Sequence, residues 1–247
     1  MMILPRYPYS AFYAIVCAAI LAVTGCSPLI MPTPYHVPAV QNQGDLHVNV
    51  LTGISEFNVQ AAFMPVKHMV VTTTYSTNVE NHNDEGHVYR YNSFGAGYIT
   101  GDERIQVAVL GHYGFGRSRD NSLGDKEKPT QYNKFTGVNY YNLAIQPYAN
   151  YLISENFNLY GGVRASVIRT TSFVSNESDR LSPGKTGTLE PFLGMRFGYK
   201  ALMFEMQSGI YSHKNTYDRR FISHNDALLN FHVGIGYTFG LGKKAIK

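Results

Sequence analysis

The chain has 247 residues, a formal net charge of +4, 15% charged residues and 13% aromatics, including 19 Tyr and 14 Phe. A near-neutral balance points to no nucleic-acid partner, and the charge content lies well below the ~25% of an ordinary soluble domain. After the first thirty positions no run of 18 apolar residues occurs, which excludes a helical membrane protein. A chain of this composition that meets lipid must pair its backbone groups in a closed barrel.

Residues 1–25 read as a lipoprotein signal peptide that is removed: Arg6 precedes an apolar core over 11–23. The core ends in Val23-Thr24-Gly25-Cys26, a run that resembles the bacterial lipobox, in which the cysteine is acylated (a palmitate-type modification) and becomes the mature N-terminus. Cys26 is therefore the expected lipidation site. Cys17, the other cysteine, lies in the removed segment, so a processed chain has no disulfide and no catalytic or metal-binding thiol. Ser27 is not the Asp that favours inner-membrane retention, and no acidic export run follows, so the anchor is expected in the periplasmic leaflet of the outer membrane. Residues 26–44 carry Pro28, Pro32, Pro34 and Pro38 and read as a lipidated, extended tether. At ~3.1 Å per residue it would reach roughly 55 Å.

From Asp45 the pattern alternates with period two, and ten strands are predicted at 45–52, 56–64, 68–77, 87–99, 103–116, 135–153, 157–172, 187–199, 201–212 and 227–239. The last is the clearest. Leu229, Phe231, Val233, Ile235, Tyr237 and Phe239 alternate with Asn230, His232, Gly234, Gly236 and Thr238. Short turns near 65–67, 100–102, 154–156 and 200 alternate with long polar connections at 78–86, 117–134, 173–186 and 213–226. The expected fold class is all-β: a single antiparallel up-and-down transmembrane β-barrel of about ten strands over 45–240, followed by a basic tail at 241–247.

The face opposite the apolar one is Asn, Gln, Gly, Ser and Thr with a few charges, which suits a narrow hydrogen-bonded lumen better than bulk solvent. A soluble lipocalin-like barrel would carry dense Lys and Glu there. Tyr91, Tyr98, Tyr113, Tyr141, Tyr151, Tyr199, Tyr211 and Tyr237 fall near strand ends and are expected as an interfacial girdle.

The runs CSPLIMPTPYHVPAVQNQGDLHVNV and FNVQAAFMPVKHMVV, with RYNSFGAGYI, RIQVAVLGHYGFG and NLAIQPYANY, resemble a family of outer-membrane β-barrel lipoproteins from Bacteroidetes-type bacteria. The shared features are a Cys-Pro-rich start, a "VP…GD/GE" opening, a "QAA(F/Y)" second strand and an "IQP" sixth strand. The resemblance covers nearly the whole mature chain and implies architecture and location, with no established activity. Barrels of this kind often finish on an aromatic residue, whereas here Phe239 is followed by GLGKKAIK.

Charged residues at inward positions form the strongest constellation. Arg164, Glu190, Arg196 and Glu205 share one face of three neighbouring strands and are expected as a lumen charge network that plugs a narrow interior. His112 and His232 are expected as hydrogen-bonded lumen residues. The loop run His82-Asn83-Asp84-Glu85-Gly86-His87 offers metal-type donors but reads as a solvated loop, so no metal or cofactor is expected. Asp218, His224 and Asp226 could only act at the rim if groups from several strands converged, and no such motif is found. Lys243, Lys244 and Lys247 add little membrane attraction at physiological salt.

The expected partners are outer-membrane lipids, through the acylated N-terminus and the barrel exterior. The expected role is a non-enzymatic, structural or binding one through extracellular loops. A rim hydrolase and a periplasmic lipocalin-like carrier are the alternatives.

Overall fold

The computed structural model describes residues 33–53, 56–78, 87–102, 104–120, 136–174, 184–199, 201–213 and 228–240. Cys26, residues 82–86, Asp218, His224, Asp226 and the basic tail lie outside the described residues.

Ten strands are found: β1 (Asp45–Thr52), β2 (Glu56–Val66), β3 (Met69–Asn78), β4 (His87–Gly101), β5 (Ile105–Asp120), β6 (Thr136–Ser154), β7 (Phe157–Val174), β8 (Lys185–Tyr199), β9 (Leu202–His213) and β10 (Leu228–Gly240). Each pairs antiparallel with its sequence neighbours, and β1 closes on β10 from Asp45↔Gly240 to Thr52↔Val233. No strand is left as a free edge, so the backbone groups along each ladder find partners within the barrel. Among the described residues no helix is long and apolar enough to cross a membrane.

The burial pattern is inverted relative to a soluble barrel. In β8 it alternates exposed and buried almost without interruption: Leu189, Leu193, Met195 and Phe197 are exposed, while Thr188, Glu190 and Arg196 are buried. Leu193 is 65% exposed and Arg196 1%. The same holds in β10, where Val233, Ile235, Tyr237 and Phe239 point outward and Asn230 and His232 inward. An apolar exterior around a polar interior is the reverse of a lipocalin-like carrier, whose apolar face lines the cavity.

The short turns gather at one end. Lys67 and His68 form a tight reversal with His68 at φ 70°, steadied by its Nδ1 2.9 Å from the Ile99 carbonyl. Asp102 accepts backbone N–H bonds from Arg104 and Ile105, both 2.7 Å, which hold its carboxyl below the ordinary range. Outward aromatics cluster near these turns: Tyr98, Tyr151, Tyr199, Tyr237 and Phe239 are exposed, and Phe197 stacks on Phe204 at 5.5 Å. Two residues expected in the girdle are not there. Tyr91 and Tyr211 are buried in the lumen. Their position near a strand end is right, but they share parity with inward Tyr89 and Gly209, and parity decides the face.

Candidate functional site: an occupied lumen

Residues 33–41 are extended and irregular, as their prolines require, but they do not trail away from the barrel as a free tether. They run through its lumen. Tyr35, Val37 and Val40 are at most 1% exposed, and Thr33, Pro34, His36 and Pro38 are also buried.

A buried irregular segment must satisfy its backbone without a ladder. Lumen side chains do this almost residue by residue. Tyr35 N–H donates to Gln207 Oε1 at 2.7 Å, and Gln146 Nε2 donates to the His36 carbonyl at 2.7 Å. His47 Nδ1 accepts from Ala39 N–H at 3.4 Å, and Thr238 Oγ1 donates to the Ala39 carbonyl at 3.2 Å. Pro34 and Pro38 have no N–H to satisfy, so proline suits a path with few acceptors. The segment ends in a reversal at Gly44 (φ 84°), where Asp45 Oδ2 accepts from Gln41 N–H at 3.1 Å and Asn42 N–H at 2.8 Å. Gly44 N–H donates to the Met64 carbonyl at 2.8 Å, locking the turn onto β2.

The sequence-predicted charges come together as two ion pairs, both gripping this segment. Arg164 pairs with Glu190 through Nη2 and through Nε at 3.1 Å, and Thr188 Oγ1 donates to Glu190 at 2.8 Å. The same guanidinium donates to the Thr33 hydroxyl at 3.2 Å and carbonyl at 2.9 Å, and covers the Tyr35 ring at 4.5 Å. Arg196 pairs with Glu205 at 2.9 Å, donates to the Val37 carbonyl and lies 4.7 Å over Tyr160. Glu205 also accepts from Asn49 and from Tyr160 Oη at 2.5 Å. Each charge thus has an opposite partner and at least one further hydrogen bond, which offsets part of the cost of burial, while Arg196 Nε and Nη1 are buried without a partner. The other two expected lumen residues also face inward. His232 Nε2 lies 3.4 Å from Glu56, and the His112 ring lies 6.4 Å from that of His36.

Apolar contact completes the seal. Tyr35, Val37 and Val40 form one cluster with inward Met64, Val70, Ile99, Leu110 and Phe192, and Tyr35 stacks on Phe192 at 4.3 Å. Gly209 makes room for Tyr35: a Cβ there would strike its ring and hydroxyl. Beside His36, between Thr74, Gln146 and Arg164, a cavity of about 20 Å³ is the size of one water.

Sequence reasoning placed the charge network and missed its guest. The signal available was the set of inward apolar residues, Met64, Ile99, Leu110 and Phe192, which a polar lumen has no reason to carry. Among the described residues no cluster of three or more His, Cys, Asp or Glu could hold a metal ion.

No family model matches the chain, and no curated protein matches it. It is similar to solved barrels. The outer membrane protease OmpT from Escherichia coli is 10% identical, with 82% of this chain and 99% of that one covered and a TM-score of 0.48. For the translocator domain of the autotransporter NalP from Neisseria meningitidis the figures are 14%, 78%, 87% and 0.46. For the Yersinia pestis outer membrane protein Ail they are 15%, 80%, 100% and 0.38. The chain has the fold of an outer-membrane β-barrel, and its own closed pairing and inverted burial establish that.

Proposed function

We propose that the chain is an outer-membrane lipoprotein barrel, related to the Bacteroidetes-type family it resembles, whose lumen is closed by its own N-terminal segment. It acts through its long outer loops in a structural or binding role, neither as an open pore nor as an enzyme. One observation carries this reading: residues 33–40 fill the lumen and are bonded to it from several strands. An open channel needs a continuous aqueous path, whereas here the inward charges are spent on each other and on the plug backbone.

Planar-bilayer recording of the purified full chain tests this. The intact protein is expected to show no stepwise conductance, and Tyr35→Ala, which removes the ring stacked on Phe192, is expected to leak. Stable conductance from the intact chain would refute the closed-lumen reading.

A further inference from the structure

The direction in which the N-terminal segment runs decides where the mature N-terminus emerges. Apart from His36, which reaches Gln146, ninth from the short-turn end of β6, its contacts climb the barrel in order. The Ala39 carbonyl bonds to Thr238, third residue from the short-turn end of β10. Val37 bonds to Arg196, fourth from the short-turn end of β8. Tyr35 bonds to Gln207, sixth from the short-turn end of β9. Thr33 bonds to Arg164, eighth from the short-turn end of β7. Read from Gly44 back to Thr33, the chain therefore rises from the short turns toward the long connections.

At the level of His36 the lumen is occupied by residues 33–37 bonded to β6, β7, β8 and β9, and the cavity beside His36 is about 20 Å³, the size of one water. Upward, the rim is near on the β8 side. Glu190, bonded to Arg164, is the sixth residue from the long-connection end of β8. That leaves about 17 Å of strand at ~3.3 Å per residue. The seven steps from Thr33 to Cys26 span up to about 25 Å when extended.

We propose that the mature N-terminus leaves the lumen at the long-loop mouth, so that the acyl chains of Cys26 enter the outer leaflet from the cell exterior. This rests on the reading of Cys26 as the acylated residue and of the long loops as extracellular. It reverses the periplasmic-leaflet anchor expected from Ser27. The lipid partner is then the surface leaflet, and the lumen is the conduit that holds the anchor's stem.

The test uses single-cysteine variants in the full chain, labelled with a membrane-impermeant maleimide on intact and on permeabilised cells. Heat-modifiable gel migration confirms that each barrel is folded. A processed, acylated parent has no free thiol and is expected to stay unlabelled. Met31→Cys is expected to label as fully on intact cells as on permeabilised ones, whereas Ser154→Cys, at the β6–β7 turn, labels only after permeabilisation. If Met31→Cys labels only after permeabilisation, like Ser154→Cys, or if both label on intact cells, the two ends share one side and the threading is wrong. If Ser154→Cys alone labels on intact cells, the orientation under the proposed function is inverted and this proposal falls with it. If the parent itself labels, Cys26 is not acylated. The lipid half of the proposal then fails, while the labelling side still reports where the N-terminus emerges.

Discussion

Arg196 and Glu205 have 1% of their side chains exposed, so each depends on the other to remain charged in the lumen. Glu205→Gln keeps the volume but leaves a buried guanidinium without its counter-charge, and a loss of ~3–5 kcal/mol is expected. Arg196→Met combined with Glu205→Met is expected to cost less than the two single losses added, because the double variant strands no charge. Guanidinium unfolding of the barrel in micelles measures both, and additive losses would show that the pair is uncoupled. Gly209 and Gly187 make a second comparison. A Cβ at Gly209 collides with Tyr35, whereas at Gly187 it meets only the Ser166 carbonyl at 4.0 Å. Gly209→Ala is expected to loosen the plug and raise bilayer leakage, with Gly187→Ala silent. Equal behaviour of the two would contradict the packing assigned to Tyr35.

Strands and plug differ in how far they can be read before folding. A strand announces itself because consecutive side chains face opposite environments, so β10 and β8 are legible from alternation alone. Their ends are less so. The expectation of 103–116 for the fifth strand stops short of the observed Ile105–Asp120, since Arg117, Ser118 and Arg119 look like loop while the ladder to β6 still continues through them. Residues 33–41 carry no period, and dense proline is equally compatible with a solvated linker and with a buried chain whose missing donors need no partner. What separates the two is the receptor built from Arg164, Gln146, Arg196 and Gln207, drawn from β6, β7, β8 and β9. Local sequence cannot show groups converging from four strands. Parity outweighs position along the strand: Tyr91 lies near a strand end, yet the alternation it shares with Ser93 turns it inward.

Closure of the ten strands into one barrel leaves two surfaces of opposite character, and that contrast is the most general property open to measurement. Val233 and His232 are adjacent in β10, yet the first is 36% exposed and the second 1%. Placing Arg at Val233 puts a charge against hydrocarbon, at a cost of ~2–4 kcal/mol near the bilayer midplane. His232→Gln keeps a polar group facing Glu56 and is expected to cost much less. A stability difference alone would not locate the hydrocarbon, since burying a charge in any apolar environment is costly. Nitroxides attached after single Cys substitution at Val233, Ile235, Asn230 and His232, in reconstituted bilayers, locate it directly. Oxygen concentrates in lipid tails, so collision rates are expected to be high at Val233 and Ile235, which face outward, and low at Asn230 and His232, which face the lumen. The opposite ranking, or equal rates at all four positions, would mean that the apolar exterior does not meet lipid.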